Sequence, residues 1–112
     1  MLGIDFISVR RIERLCGREW YRRFWFTDAE LERLRAMPDP GESCAAAVAM
    51  KEAVMKASGR GFRQGVRPTM VTLDWSTSGS PRASLGGRRF AITATHSDGY
   101  ALAAALDLGG AR

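Results

Sequence analysis

The sequence predicts an α+β domain in which a short antiparallel sheet packs against one long central helix and two or three shorter helices. Three observations predict it. Apolar residues recur at helical spacing through the first half, and the alanine-rich run Cys44–Ala57 is long enough to be the central helix. From Met70 the apolar period changes to two, with turn residues between the runs. Helices first and hairpin-linked strands after is the pattern of an α+β fold. With 112 residues, 46% of them hydrophobic and 26% charged, the chain fits a single domain spanning 1–112. A chain of that size has a thin core, which an oligomer would complement.

Met1–Ile7 is short, apolar and ends at a change of pattern, so it reads as a strand. Ser8 caps a following helix in which Val9, Ile12 and Leu15 or Cys16 recur, and Gly17 ends it early. Trp20, Tyr21, Phe24, Trp25 and Phe26 are bunched rather than interleaved along strands, which favours core packing around a short helix over a base-stacking platform. Thr27-Asp28-Ala29-Glu30 is a capping box that opens a helix through Leu31 and Leu34 to about Ala36. Pro38-Asp39-Pro40-Gly41 breaks the chain, and Glu42 or Ser43 begins the central helix. That helix ends at Ser58-Gly59, before a flexible basic turn, Gly59-Arg60-Gly61.

Four strands follow, over Met70–Trp75, Arg82–Leu85, Phe90–Thr95 and Tyr100–Leu106. Ser78-Gly79-Ser80-Pro81, Gly86-Gly87 and Ser97-Asp98-Gly99 are the turns between them. Leu108–Arg112 reads as a frayed tail. No internal repeat, low-complexity tract or domain linker interrupts this order.

No apolar stretch reaches the ~18 residues that cross a bilayer, and Asp5 interrupts the segment where a secretory signal would be apolar. The expected location is cytoplasmic, with no membrane partner. Cys16 and Cys44 fit neither a disulfide framework nor paired zinc ligands, and are expected to be small buried hydrophobes. His96 is the only histidine, so no nitrogen-rich metal cluster is available. The net charge of +5 and pI near 10.0 favour an acidic partner. Its distribution is more telling: between Arg10 and Arg23 six arginines face two glutamates, whereas between Thr27 and Glu42 five acids face two arginines. Arg10, Arg14 and Arg18 are spaced by four and form one basic stripe while the helix lasts.

The chemistry centres on Lys51-Glu52-Ala53-Val54-Met55-Lys56. On a helix Glu52 and Lys56 lie one turn apart on one face, where a carboxylate and an ammonium can hold a metal ion and a phosphate side by side. The plain alternative is an ordinary ion pair on a solvated face. Two further segments shift the balance: Gly3-Ile4-Asp5 near the start and Thr93-Ala94-Thr95-His96 near the end.

Together with Arg11-Ile12, Phe26-Thr27-Asp28-Ala29-Glu30-Leu31 and Gly59-Arg60-Gly61, these segments resemble, in order and spacing over nearly the whole chain, the holo-acyl-carrier-protein synthase family of small 4′-phosphopantetheinyl transferases. The resemblance implies transfer of 4′-phosphopantetheine from coenzyme A to a serine of an acidic apo carrier protein, acyl or peptidyl, releasing adenosine 3′,5′-bisphosphate. It implies Mg²⁺ held by Asp5 and Glu52, with Lys56 as a catalytic charge on the pyrophosphate. Coenzyme binding falls to Lys56, Gly59, Arg60, Gly61, Arg63, Thr95 and His96, the two glycines letting backbone amides approach phosphate oxygens. The family's trimers place the active site between subunits, and its carriers dock near the first helix, here over Arg10, Arg14 and Arg18.

Two positions depart from the family pattern. Ser8 stands where a glutamate is frequent and Ala47 where an arginine is frequent, which weakens a three-carboxylate site and removes one phosphate contact. They raise a specialised transferase of a polyketide or peptide pathway as an alternative. The rivals from other classes are a small basic nucleic-acid-binding module and a catalytically degenerate relative. No familiar nucleic-acid motif is visible, so no nucleic-acid partner is expected.

Overall fold

A computed structural model describes residues 1–75 and 81–110. Strand β1 (Leu2–Ser8) leads into helices α1 (Val9–Cys16), α2 (Glu19–Trp25), α3 (Asp28–Arg35) and α4 (Pro40–Ser58). Two 3₁₀ turns, Phe62–Gln64 and Pro68–Met70, connect to strands β2 (Thr72–Asp74), β3 (Arg82–Leu85), β4 (Arg88–Ser97) and β5 (Tyr100–Gly110). The sheet order is β1-β5-β4-β3-β2 with every neighbouring pair antiparallel. The α+β class expected from the sequence is the one observed.

The helix starts follow local chemistry. Ser8 Oγ accepts the Arg11 amide, and Thr27 and Glu30 form the reciprocal capping box, with Thr27 N donating to Glu30 Oε1 at 3.0 Å and Glu30 N to Thr27 Oγ1 at 3.2 Å. Helix α4 begins earlier than expected. Asp39 Oδ1 accepts the Glu42 amide at 3.1 Å, so Asp39 is the cap, and Pro40 sits in the first turn, where its missing N–H is not needed. Gly59, at φ 72°, ends α4 in the left-handed conformation that glycine adopts without steric cost.

The sheet differs from expectation at its ends. Met70 belongs to a 3₁₀ turn, which shortens β2, while β4 extends on both sides of Phe90–Thr95. The expected frayed tail is ordered as far as Gly110: Arg88 and Arg89 pair with Gly110 and Gly109, and Arg88 Nε meets Asp107 Oδ2 at 2.9 Å. Positions 111 and 112, and Ser78, Gly79 and Ser80 of the expected turn, lie outside the described residues. The aromatic cluster divides: Tyr21, Trp25 and Phe26 enter the core, whereas Trp20 and Phe24 stay exposed.

Cys16 and Cys44 are not free thiols but a disulfide across 28 residues. The last turn of α1 packs beside the start of α4, a proximity that cysteine spacing does not reveal.

The core lies between α4 and the inner face of the sheet. Ala45, Ala49 and Ala53 of α4 and Ala101, Ala103 and Ala105 of β5 are all buried, so small residues meet small residues and the helix seats deeply. Gly3 shows how deeply: a Cβ there would lie 2.6 Å from Ala57 N and closer still to Ala53 O, both backbone atoms of α4. Gly3→Ala must push α4 off β1, and is expected to cost about 1–3 kcal/mol in chemical denaturation. It is also expected to separate the side chains that the next residues of β1 present to the helix.

Among the described residues, the outer face of the sheet carries an uncovered apolar strip. Leu2, Ile4 and Phe6 on β1 and Leu102 and Leu106 on β5 are exposed, and Phe6 stacks on Tyr100 with ring centroids 5.0 Å apart.

Candidate active site

Alternation along β1 turns Gly3 and Asp5 inward while Ile4 and Phe6 face out. Asp5 is thereby placed against α4, only 5% exposed. Lys56 Nζ crosses to it, donating to Asp5 Oδ1 at 2.9 Å and to Ile4 O at 3.0 Å. The ammonium thus bonds to the strand rather than to Glu52, its neighbour one turn back. Asp5 Oδ2 is buried and receives no hydrogen bond.

Glu52 completes the cluster. Its carboxyl is pushed up to about 7, first by burial, then by the close approach and negative charge of the Asp5 carboxyl, with Lys56 and Arg11 pulling the other way. The neighbouring Asp5 charge and burial thus both favour the protonated form of Glu52, the form a bound cation would disfavour. A buried oxygen without a donor, beside a second carboxylate, suits a small hard cation. Among the described residues there is no group of three or more potential protein ligands. Mg²⁺ accepts one or two carboxylates and completes its shell with water and phosphate oxygens, so the donor set fits. Ser8, where a third carboxylate was conceivable, is occupied in capping α1.

A cleft of about 400 Å³ opens beside the pair, lined by Glu52, Met55, Lys56, Gly59, Arg60, Gly61 and Phe62. Phe62 forms an apolar wall, backed by Phe24 and Trp25 at 5.8 and 6.4 Å. The glycine turn supplies space but not free amides. Gly59 N donates to Lys56 O, Arg60 N to Ser58 Oγ and Gly61 N to Gln64 Oε1 at 2.8 Å, so the expected amide cradle is already engaged within the loop. Side-chain charge is what the cleft offers an anion: Lys56 and Arg60. Arg63 lies on the next turn and does not line the cleft.

Thr95 and His96 are elsewhere in the protomer. His96 Nε2 pairs with Glu42 Oε1 at 2.9 Å, at the start of α4. Glu42 is ten residues, roughly 15 Å of helix, from Glu52. Thr95 faces the opposite side of β4, beside Leu102 on the uncovered apolar face.

The basic stripe is regrouped as well. Arg11, Arg14, Leu15 and Arg18 line a groove of about 300 Å³, so Arg11 takes the place expected for Arg10. Arg18 joins it from beyond Gly17, past the end of α1. Arg11 also acts on Glu52, and both act on buried Tyr21, whose hydroxyl is raised to about 12 by burial first, then by the Glu52 charge, with Arg11 opposing. Neither Arg11 nor Tyr21 carried a site signal in the sequence; one read as part of a motif, the other as core.

Lys51, adjacent to Glu52, points the other way and is fully buried. Its Nζ donates to Trp25 O at 2.9 Å, Glu30 Oε1 at 2.8 Å and Pro68 O at 3.0 Å. Burial lowers its proton affinity, opposed by the hydrogen bond and charge of Glu30. It ties α2, α3 and the second 3₁₀ turn to α4, and has no part in the cleft.

Residues 1–105 match the profile of the 4′-phosphopantetheinyl transferase superfamily. Over 102 residues the chain is 35% identical to a holo-[acyl-carrier-protein] synthase of Desulfovibrio desulfuricans, covering 85% of this chain and 82% of that one. A holo-[acyl-carrier-protein] synthase of Koribacter versatilis is 34% identical over 119 residues, covering 93% and 94%. The fold superimposes on the Helicobacter pylori holo-[acyl-carrier-protein] synthase in complex with coenzyme A with a TM-score of 0.79 at 22% identity, over 96% of this chain and 99% of that one. The Bacillus anthracis synthase gives 0.82 at 24% identity, over 95% and 93%.

Proposed function

Because this chain belongs to the 4′-phosphopantetheinyl transferase superfamily, we propose the following reading of its site. The protein transfers 4′-phosphopantetheine from coenzyme A to the serine hydroxyl of an apo acyl carrier protein, the activity of a holo-[acyl-carrier-protein] synthase. The serine oxygen bonds to the phosphorus that carries pantetheine as the bond from that phosphorus to adenosine 3′,5′-bisphosphate breaks. The observation that supports the assignment of roles is the buried, donorless Asp5 Oδ2 beside the raised carboxyl of Glu52.

Asp5 and Glu52 would hold Mg²⁺. When bound, the ion neutralises charge on the pyrophosphate as the phosphoryl group moves. Lys56, fixed by Asp5 and Ile4 O, presents its ammonium to the cleft and stabilises the departing bisphosphate. Arg60 adds charge at the rim, and the wall of Phe62 excludes water from the pantetheine side. A carboxylate of the pair accepts the serine proton. The test is to incubate the protein with coenzyme A, Mg²⁺ and an apo carrier and weigh the carrier. A phosphopantetheine increment is expected; no increment on any apo carrier refutes the function.

The carboxyl pair sets a pH dependence. In the free protein Glu52 titrates near 7 against 4.5 unfolded, so between those values the folded state holds the extra proton. Its stabilising contribution is fully present below about 4.5 and is lost as pH rises through about 7. Mg²⁺ held by the pair would compete with that proton. Thermal scans with and without Mg²⁺ should therefore show a larger stabilisation by the ion at pH 8 than at pH 5.5.

Thr95 and His96 are remote from the cleft of their own protomer, and the uncovered apolar face of the sheet, on which Thr95 lies, is the surface through which copies would associate. We read the active form as a homotrimer in which His96 and Thr95 serve a neighbour's cleft. No helix among the described residues is long and apolar enough to cross a membrane. We place the protein in the cytoplasm, with its coenzyme and its carrier.

The arginine groove suits an acidic carrier. Arg14→Glu is expected to slow carrier association by about tenfold at low salt, with the difference shrinking as salt rises. Stopped-flow binding at two ionic strengths checks it, and an equal rate at both would remove the groove from carrier docking.

A further inference from the structure

The bridge between Cys16 and Cys44 is unused by the chemistry above, and its surroundings are those of an exchangeable one. A cavity of about 240 Å³ opens onto it, and Glu13, Arg22 and Arg35 share its wall with both cysteines. Arg22 Nη1 donates to Cys16 O at 2.8 Å, which fixes a guanidinium beside the first sulfur's residue. Two cations against one carboxylate attract an anionic thiol reagent to the bridge. Cys16 is half-buried and Cys44 only 6% exposed, so the two sulfurs differ in access. In a thiol-rich compartment such a bridge is a transient one.

What the bridge holds gives it a consequence. Cys16 is the last residue of α1, the helix that carries Arg11 and Arg14, and Cys44 lies near the start of α4, the helix that carries Glu52 and Lys56. Besides the bridge, α1 is held by buried Val9 and Ile12 in its first half and, less firmly, by half-buried Leu15 and the Arg22 bond to Cys16 O in its last turn. The bridge is the covalent anchor of the last turn of α1, next to Arg14 and Leu15 of the arginine groove.

We propose that Cys16 and Cys44 are a reversible thiol–disulfide pair, exchanged through this cavity with a small anionic thiol of the glutathione type, whose state sets how firmly the arginine-bearing end of α1 is held against α4. In the reducing direction a thiolate attacks Cys16 Sγ, forming a mixed disulfide and releasing the Cys44 thiolate, which takes a proton. A second thiolate attacks the outer sulfur of the mixed disulfide, giving the free disulfide of the reagent and the Cys16 thiolate. The reverse sequence oxidises the pair at the expense of one reagent disulfide. Two electrons pass in either direction.

The effect on catalysis rests on the transferase reading; the exchange itself does not. The wild-type protein is equilibrated in glutathione buffers from fully reduced to fully oxidised, quenched by alkylation and weighed. Amide hydrogen exchange of Leu15–Arg18 and transfer kinetics are then measured on both end states and on the Cys16→Ser/Cys44→Ser variant. The expected result is a bridge that forms and breaks within this range. Exchange of those amides should be at least tenfold faster when reduced, and KM for the carrier about three- to tenfold higher, with kcat and KM for coenzyme A unchanged. The variant should behave as the reduced form in every buffer. Thiols that stay free in oxidised glutathione overturn the proposal, as does a bridge that leaves hydrogen exchange unaltered. Redox-dependent exchange without transfer in either state would instead count against the transferase reading alone.

Discussion

Asp5→Ala and Glu52→Gln are each expected to lower kcat for carrier modification by about a thousandfold, equivalent to about 4 kcal/mol of barrier. The two carboxyl groups come from the two layers of the fold, β1 and α4, and meet around one buried oxygen that no protein donor satisfies. Removing either leaves a single carboxylate and a weaker, less well-placed hold on the divalent ion that would neutralise the pyrophosphate. Glu52→Gln also separates loss of chemistry from loss of fold. A neutral amide replaces a group whose charged form is disfavoured where it sits, so at pH 8 without Mg²⁺ the variant should melt no lower than the parent. Its melting temperature should also stop responding to Mg²⁺. Transfer within tenfold of the parent in both variants would remove the pair from the mechanism.

The second large effect concerns Lys51, which shares a motif with Glu52 but not its task. Lys51→Met leaves the Glu30 carboxylate buried without its cation and deprives Trp25 O and Pro68 O of a donor. Breaking a buried pair from one side costs about 3–5 kcal/mol, a large share of the ~5–15 kcal/mol that holds a domain together. The expected fall in Tm is about 10–20 °C. The double variant Lys51→Met/Glu30→Gln should recover part of it, since the stranded charge is then gone, and the double-mutant cycle gives the coupling. A Lys51→Met protein that melts within 2 °C of the parent would show that the network contributes little.

These two lysines mark where the sequence was legible and where it was not. Local rules sufficed for the capping box at Thr27, the cap of α1 at Ser8 and the glycine stop at Gly59, because each depends on residues within one turn. The family resemblance singled out Asp5, Glu52 and Lys56, and the fold places them together. Helical spacing gave Lys56 a partner on its own helix, whereas the shorter route runs to β1. The pairing of first strand with last, Leu2 opposite Leu106, depends on contacts a hundred residues apart that no local pattern encodes. The same holds for the Cys16–Cys44 bridge. Gln64 closing on the Gly61 amide was hidden for a different reason: a glutamine three residues after a glycine is common and silent until a loop folds over it. His96 is legible as a residue but not as a place, since its protomer ties it to Glu42, away from the cleft.

The missing side chain at Gly3 reaches beyond stability. With strand and helix backbones in contact, the separation of the main chains that carry Asp5 and Glu52 is set by backbone atoms. A change along this seam must therefore move main chain, so its effect reaches the carboxyl pair as well as the stability of the fold. Changes at the rim, where Arg60, Phe62 and the groove arginines project into open space, need not disturb that separation.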